Sequence, residues 1–240
     1  MPTVAILAGG LATRLGDVTR AIPKALLDIN GTPFIVHQLK LLRDAGVTHV
    51  VMCIAHLGEQ IRDHVGDGAR FGLRVRYAEE GAQLLGTWGA LRAAIDMLAP
   101  TLLVTYGDSW LPFDYAAPLR ALDADTAGTC DGVMSVFENS GKWDPSNVVT
   151  DGAWVVRYEK GTGDPAFDHI DYGALALRRD ALATLPLGEV RGLDALQRDL
   201  AARKRLRAHV AHDRFFEIGS PEGLAALETE LSRGGGATTP

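Results

Sequence analysis

The chain has 240 residues, of which 47% are hydrophobic, and a formal net charge of −6 at pH 7. This length and apolar content suffice for one sizeable domain with a full core, and the acidic balance argues against nucleic acid as a main partner. We therefore expect a single domain over residues 1–233, with halves at about 1–110 and about 111–233. The low-complexity segment 234–240 is expected to be a disordered tail.

The two cysteines and the N-terminal segment indicate the cellular compartment of the protein. Cys53 and Cys130 are isolated in the sequence, which is typical of reduced cysteines in a cytoplasmic protein. The N-terminus leads directly into a predicted strand, without the pattern of a signal peptide. No run reaches the roughly 18 apolar residues of a membrane span. The sequence therefore predicts a cytoplasmic protein with no membrane partner.

Strand and helix patterns alternate along the first half of the chain. Continuous apolar runs such as His49–Ala55 are typical of parallel strands buried on both faces. This alternation predicts an α/β fold, a three-layer, doubly wound arrangement around a mixed, mainly parallel sheet. Ligands of such folds bind beyond the carboxyl ends of the strands. The predicted strands are Val4–Leu7, His49–Ala55, Leu73–Ala78 and Thr101–Tyr106, and the predicted helices are Pro33–Ala45, Gly58–Val65 and Thr87–Met97.

The second half has a mixed pattern with shorter strands and no internal repeat. Helices are predicted at Tyr115–Leu122, Leu193–Arg203 and Pro221–Ser232. Strands are predicted at Gly132–Phe137, Asn147–Val149, Trp154–Glu159, Tyr172–Leu177, Arg207–Ala211 and Phe215–Ile218.

The first predicted strand ends in a loop with the composition of a phosphate site. Gly9 and Gly10 allow backbone N–H groups to approach a phosphate, and Thr13, Arg14 and Lys24 follow. Guanidinium and ammonium groups are the side chains that a triphosphate requires. The loop lacks the G-K-[ST] of a Walker motif and the G-x-G-x-x-G of a dinucleotide fold. A plain strand-to-helix turn is the alternative, which the T-R-L and P-K elements disfavour.

This loop resembles the signature of the sugar-1-phosphate nucleotidylyltransferases, L-A-G-G-x-G-T-R-L followed by P-K. The matching residues are Leu7, Ala8, Gly9, Gly10, Thr13, Arg14, Leu15, Pro23 and Lys24. Ala12 departs from the pattern, since the family usually has glycine there. The resemblance covers nearly the whole chain and implies a Rossmann-like, GT-A-like nucleotidyltransferase fold without a C-terminal β-helix. It also implies that the first half binds the nucleotide and the second half the sugar.

The resemblance assigns roles in binding an NTP. Arg14 would hold the leaving β,γ-phosphates and Lys24 the α-phosphate. In L-G-T-W-G-A-L, Thr87 can cap the following helix, whereas Trp88 departs from the family and either stacks on a ligand or fills a gap. The implied nucleotide-binding residues are Leu7, Ala8, Gly9, Gly10, Ala12, Thr13, Arg14, Gly86 and Thr87.

Two acidic residues are candidate ligands of a magnesium ion. Asp108 follows a buried strand in Y-G-D-S, where a carboxylate suits Mg²⁺, although an Asx turn is an alternative. Glu217, in F-F-E-I-G-S-P-E, occupies a position where the family commonly has aspartate. The resemblance implies that Asp108, with Arg14 and Lys24, is catalytic, and that Asp108 and Glu217 hold Mg²⁺.

The second half contains segments that resemble the family's sugar-binding segments. Glu159 and Lys160 match the E-K-P motif, with glycine in place of proline. Asp171 and Tyr172 align with the segment that lines the sugar pocket, and Asn147 lies where relatives present a backbone group or an amide to the sugar. These five residues are therefore expected to bind the sugar 1-phosphate.

Motifs near Glu217 and Gly86 look most like the heptose-1-phosphate guanylyltransferase branch, which we favour. The segment His56–Leu73 looks equally like the N-acetylmuramate-1-phosphate uridylyltransferase branch, while the glucose-1-phosphate thymidylyl and uridylyl branches are less similar.

A non-catalytic, nucleotide-sugar-binding regulatory homologue is a further alternative. The D-x-D spacing of Asp123 and Asp125 would suit a glycosyltransferase, but it follows a helix rather than a buried strand. The histidines suggest neither a triad nor a zinc site. A homo-oligomer is compatible with the sequence, because the helix at P-F-I-V-H-Q faces either a partner or the core.

Overall fold

A computed structural model describes residues 3–10, 21–81, 83–139 and 143–234. The strands in these ranges are β1 Thr3–Leu7, β2 Asp28–Ile29, β3 Thr32–Pro33, β4 His49–Ile54, β5 Arg74–Glu79, β6 Thr101–Tyr106, β7 Ser109–Trp110, β8 Gly132–Glu138, β9 Val148–Asp151, β10 Trp154–Tyr158, β11 His169–Arg178, β12 Leu206–Ala211 and β13 Phe216–Glu217. The helices are α1 Phe34–Asp44, α2 Gly58–Val65, α3 Gly86–Ala93, α4 Ala116–Asp123, α5 Arg179–Leu182, α6 Leu193–Ala202 and α7 Pro221–Gly234.

The main sheet has nine strands in the order β5-β4-β1-β6-β11-β8-β12-β10-β9. Strand β1 pairs in parallel with β4 and β6, and β4 pairs in parallel with β5. Their apolar runs follow from this position, because a strand between two parallel neighbours is covered on both faces. The expected α/β class is thus observed.

The sheet is less parallel than predicted. Strand β11 runs antiparallel to β6, β8 and β9, and β10 runs antiparallel to β12 and β9, whereas β8 and β12 are parallel. In the first half, helices α1, α2 and α3 connect the strands, because parallel strands require a long crossover connection. Strands β9 and β10 are antiparallel and are joined by a tight turn at Gly152. The mainly parallel character therefore belongs to the first half alone.

Apolar side chains pack on both faces of the sheet. In β1, Val4 and Ile6 belong to one core cluster, with residues of α1, α2 and α4. Ala5 and Leu7 belong to another, with residues of α3, α5 and α6. This division follows from the strand period of two. Helix α1 buries Phe34, Ile35, Gln38, Leu39 and Leu42, so the P-F-I-V-H-Q helix faces the core.

A short ribbon outside the main sheet was not predicted. The predicted strand Phe215–Ile218 is reduced to β13, which pairs antiparallel with β7 instead of extending the main sheet. Ile218 and Leu227 of α7 form a third apolar cluster with residues that follow Lys24. The ribbon thereby brings the end of the chain to the segment after β6.

Helix α7 extends to Gly234, two residues beyond the predicted end at Ser232, and residues 235–240 of the predicted tail lie outside the described residues. Within the described part of the chain, no helix is both long and apolar enough to cross a membrane.

Candidate active site

A cavity of about 480 Å³ opens at the carboxyl ends of β1 and β6. These strands are neighbours, with Leu7 paired to Tyr106. The Gly107 N–H donates to the Leu7 carbonyl at 2.9 Å, and a Cβ on Gly107 would lie 2.8 Å from Ala8 Cβ. Only glycine lets the two strand ends approach so closely. The cavity lining includes Leu7, Ala8, Gly9, Gly10, Lys24, Gly86, Thr87, Tyr106 and Asp108.

Lys24 and Asp108 form an ion pair on the wall of this cavity. Lys24 Nζ donates to Asp108 Oδ2 at 2.9 Å, and both side chains are largely buried, with 17% and 27% of their surface exposed. Lys24 begins a short 3-10 turn after Pro23, and Asp108 follows β6. Two residues identified from separate motifs therefore lie in contact.

The β7–β13 ribbon brings Glu217 to the same region. Glu217 pairs with Ser109, the residue after Asp108. The Ile218 N–H donates to the Asp108 carbonyl at 2.9 Å, so the backbones are joined directly at this point. Of the two predicted metal ligands, Glu217 thus lies in the ribbon and Asp108 directly before it.

Among the described residues that line the two cavities of the site, carboxylates outnumber cations. Burial raises the pKa of Tyr106 above its ordinary range, and the nearby carboxylates of Asp171, Asp108, Glu217 and Asp194 raise it further. Lys24 pairs with one of these carboxylates. An environment of this kind favours a bound cation, and carboxylate oxygens are the ligands that Mg²⁺ prefers. Among the described residues, no group of three or more histidine, cysteine, aspartate or glutamate side chains is placed to hold a metal ion.

A second cavity, of about 330 Å³, adjoins the first at Tyr106. It is lined by Asn147, Lys160, Asp171 and Glu217, among others. Three of the five predicted sugar-binding residues therefore share one cavity with the second candidate metal ligand.

Asp171 is fixed within this cavity by several hydrogen bonds. The Tyr158 hydroxyl and Gln197 Nε2 donate to Asp171 Oδ2 at 3.1 and 2.9 Å. The Asp171 N–H donates to Asn147 Oδ1 at 2.8 Å. Because two of the predicted residues contact each other, the cavity wall is held in a defined geometry. Burial raises the pKa of Tyr158, followed by the charge of Asp171, so this phenol remains a donor.

The other two predicted sugar-binding residues are placed differently. Glu159 is exposed after β10 and is absent from the described lining of the second cavity. Tyr172 is 1% exposed and packs against Phe113, Phe137 and Phe215. Neighbouring residues of a strand point to opposite faces, so Asp171 faces the cavity while Tyr172 faces the core. The expectation that Tyr172 contacts the sugar is corrected accordingly.

The L-G-T-W-G segment has a structural role that the resemblance did not show. Gly86 has a φ of +73°, and a Cβ there would lie 2.7 Å from the Arg191 carbonyl oxygen. Thr87 does not cap its own helix, because its Oγ1 accepts the N–H of Leu193 at 2.7 Å, at the start of α6. Trp88 is 9% exposed and donates through Nε1 to the Leu182 carbonyl at 3.2 Å. Of the two interpretations of Trp88, the structure supports the one in which it fills the core.

Sequence reasoning missed Glu80 and Cys53, which are among the residues that line the first cavity. Glu80 accepts the Leu85 N–H through Oε2 at 2.6 Å, and burial raises its pKa. Burial, and then the charge of Glu80, raises the pKa of Cys53 to about 12. Glu80 belongs to no motif that the sequence analysis singled out, although it closes the loop that precedes Gly86.

The remaining predictions concern the first loop and the D-x-D spacing. Ala12, Thr13 and Arg14 lie outside the described residues. Asp125 accepts hydrogen bonds from the Thr129 hydroxyl and the Cys130 N–H, at 2.8 and 2.7 Å. It therefore caps a turn, as expected for an aspartate that follows a helix rather than a buried strand.

A glycine turn, a lysine and several carboxylates at the carboxyl ends of parallel strands are features of α/β proteins that bind nucleotides. A family model described as nucleotidyl transferase matches residues 3–141, which is more than half of the chain. The chain therefore belongs to the nucleotidyl transferase family, a family of enzymes, and the resemblance to sugar-1-phosphate nucleotidylyltransferases is confirmed.

Several relatives of known name are similar to the chain. N-acetylmuramate alpha-1-phosphate uridylyltransferase of Neisseria meningitidis is 39% identical over 116 residues, which is 48% of this chain and 50% of that protein. Mannose-1-phosphate guanylyltransferase of Mycobacterium tuberculosis is 27% identical, covering 95% of this chain and 64% of that protein. The D-glycero-alpha-D-manno-heptose 1-phosphate guanylyltransferase of Campylobacter jejuni is 26% identical, covering 90% and 94%.

Solved structures show the same fold. HddC from Yersinia pseudotuberculosis has a TM-score of 0.78 and is 25% identical, covering 96% of this chain and 100% of that chain. The same protein complexed with GMP-PN has a TM-score of 0.77.

Proposed function

We propose that the protein transfers a nucleotidyl group from an NTP to a sugar 1-phosphate, giving an NDP-sugar and pyrophosphate. The observation that carries this proposal is the Lys24–Asp108 pair on the wall of the cavity formed by the Gly9-Gly10 turn. Membership of the nucleotidyl transferase family supports it.

In the proposed reaction, a phosphate oxygen of the sugar 1-phosphate attacks the α-phosphorus of the NTP. A new P–O bond forms there, and the bond to the oxygen that bridges to the β-phosphorus breaks, so that pyrophosphate leaves with the electron pair. The nucleophile is already an anion and needs no strong base. Catalysis then consists of positioning and charge neutralisation. Lys24 would hold the α-phosphate, and Arg14 the leaving phosphates.

Asp108 and Glu217 would hold Mg²⁺ in this proposal. The fit rests on the oxygen donors of the two carboxylates and on the negative charge around Tyr106. When bound, the ion would neutralise charge on the reacting phosphates. The Lys24 ammonium contacts the same carboxylate, so in this proposal Asp108 has two cationic partners, the ion and Lys24.

The second cavity would take the sugar 1-phosphate. Lys160 offers a cation for its phosphate, while Asn147 and Asp171 offer polar atoms for hydroxyl groups. Among sugars we favour a heptose 1-phosphate with GTP, because the Campylobacter relative aligns with almost the whole of both chains. N-acetylmuramate 1-phosphate with UTP is a second candidate, because the Neisseria relative has the higher identity over its shorter match.

A pyrophosphate-release assay with Mg²⁺ tests the proposal. Each of ATP, CTP, GTP, UTP and dTTP is combined with heptose, glucose, mannose or N-acetylmuramate 1-phosphate. Release that requires both substrates supports the proposal and identifies the pair. If no substrate pair gives pyrophosphate release and a nucleotide sugar raises the Tm of the protein, a regulatory, non-catalytic protein is favoured instead.

A further inference from the structure

Gln38 is a buried polar residue on an otherwise apolar helix face. It is 0% exposed, and its buried neighbours on α1 are Phe34, Ile35, Leu39 and Leu42. Burial of a carboxamide is unfavourable unless it is hydrogen-bonded. An apolar side chain of similar size would fill this position if packing were its only role.

The Gln38 carboxamide spans the turn that carries Asp108. Its Nε2 donates to the Tyr106 carbonyl and to the Ser109 carbonyl, each at 2.8 Å. Both partners are acceptors, so the NH₂ group must face them. One side chain thereby fixes the backbone on both sides of Gly107 and Asp108.

Backbone hydrogen bonds also connect the start of helix α1 to the segment that carries Lys24, across the β2–β3 hairpin. The Leu27 N–H donates to the Lys24 carbonyl at 3.0 Å, and the Phe34 N–H donates to the Leu27 carbonyl at 2.8 Å. Gln38 lies one helical turn after Phe34. Helix α1 is therefore hydrogen-bonded to the Lys24 segment at its start and to the Asp108 turn through Gln38.

The two hydrogen bonds to the Asp108 turn come from the Nε2 group of Gln38 and not from its acceptor atom. Gln38 Oε1 is buried and has no hydrogen-bond partner within the described part of the chain. A buried acceptor without a partner is destabilising, so the side chain contributes through its two donors.

We propose that Gln38 is a positioning residue that holds the Asp108 carboxylate where a divalent cation binds. This inference rests on the proposed function, because it takes Asp108 as a metal ligand. Residues that orient metal ligands typically contribute about 10–100-fold to metal affinity. Loss of the two Gln38 donors should therefore weaken cation binding by displacing the Asp108 carboxylate, although the carboxylate itself is still present.

The test compares Gln38→Met with Gln38→Glu and the wild type. Methionine has a similar size and no donor, whereas a buried, protonated glutamate keeps one donor. Binding of Mn²⁺, which accepts the same oxygen ligands, is followed from the electron paramagnetic resonance signal of the free ion. We expect the Mn²⁺ dissociation constant to rise in the order wild type, Gln38→Glu, Gln38→Met, with a total increase of about 10-fold or more.

Gln197→Met is the matched control. Gln197 is 1% exposed and also donates from its carboxamide, but to Asp171 rather than to the Asp108 turn. Its Mn²⁺ dissociation constant should equal that of the wild type. If Gln38→Met does not fold, the comparison of Gln38→Glu with the wild type carries the test.

The variant Asp108→Asn distinguishes a failure of the Gln38 inference from a failure of the proposed metal site. If Asp108→Asn weakens Mn²⁺ binding and the Gln38 variants do not, the inference is overturned and the proposed metal site stands. If the wild type does not bind Mn²⁺, or Asp108→Asn leaves its binding unchanged, both are overturned. A higher Mg²⁺ concentration for half-maximal pyrophosphate release in Gln38→Met, with an unchanged KM for the sugar 1-phosphate, would agree with the positioning role.

Discussion

Lys24 Nζ lies 2.9 Å from Asp108 Oδ2, although 84 positions separate the two residues in the chain. The contact places a cation and a candidate metal ligand on one cavity wall. In the proposed reaction Lys24 would contact a phosphate and Asp108 a metal ion, so neither is expected to replace the other.

The first prediction concerns these two residues. Lys24→Ala and Asp108→Asn should each lower the turnover number by about 10²–10³ or more, the usual effect of removing a preorganised charge from a transition state. Steady-state pyrophosphate release measures the loss. Lys40→Ala and Asp96→Asn change exposed residues of the same types and should retain turnover. Near-wild-type turnover in both site variants would contradict the proposed mechanism.

The second prediction concerns the acidic residue of the β7–β13 ribbon. Glu217→Gln should lower turnover by roughly 10²-fold and raise the Mg²⁺ requirement, because the amide lacks the charge of a hard-cation ligand. Glu217→Asp keeps the charge on a shorter side chain and should lose less. Mg²⁺ activation curves for the three proteins provide the comparison. Equal curves for Glu217→Gln and the wild type would remove Glu217 from the proposed metal site.

The third prediction concerns stability. Trp88→Ala should lower the free energy of unfolding by about 3–5 kcal/mol, as expected for truncation of a buried aromatic side chain, because the indole lies in the core beside α5. Trp88→Phe should lower it less, and it should leave the choice of nucleotide unchanged. Urea unfolding gives the free energies. A changed nucleotide preference in a stable Trp88→Phe protein would show that the indole contacts the ligand after all.

The fourth prediction concerns acid stability. The hydrogen bonds and charge of Arg205 hold the pKa of Asp131 below its usual range, with Arg205 Nη2 donating to Asp131 Oδ1 at 2.6 Å. A lowered folded-state pKa stabilises the protein above the unfolded pKa of about 3.9, and this contribution is lost as the pH falls through the folded value.

Asp131→Asn should therefore lower the Tm at neutral pH by about 2–4 °C, the shift that roughly 1 kcal/mol gives in a domain of this size. The difference from the wild type should narrow as the pH is lowered towards 3. Thermal melts across this range measure it. A constant difference at every pH would mean that the ion pair does not contribute to acid sensitivity.

The elements of the first half could be predicted closely because parallel strands carry continuous apolar runs. The observed β4 ends one residue before the predicted strand, and the predicted helix Thr87–Met97 ends as an α-helix at Ala93, followed by a 3-10 turn. The β7–β13 ribbon has only two residues in each strand, which is too short for a periodic signal. Its existence depends on tertiary packing.

In the candidate site, too, residues of local motifs could be predicted, whereas contacts that depend on tertiary packing could not. Asp108 and Lys24 belong to motifs, and the crevice rule places Asp108 beside the glycine turn. Tyr172 was assigned by alignment with a segment, which does not show on which face of the strand a side chain lies. Gln38 acts through backbone groups of a distant segment and Glu80 through the Leu85 N–H within its own loop, and neither contact follows from a recognised motif.

The most direct test of nucleotidyl transfer follows the oxygen atoms. The enzyme is incubated with Mg²⁺, the NTPs and each sugar 1-phosphate of the panel, with all phosphate oxygens of the sugar 1-phosphate labelled with ¹⁸O, and the products are analysed by mass spectrometry. We expect one NDP-sugar that carries the whole label and pyrophosphate that carries none. Labelled orthophosphate or labelled pyrophosphate, or NTP cleavage without an NDP-sugar, would contradict the proposed reaction.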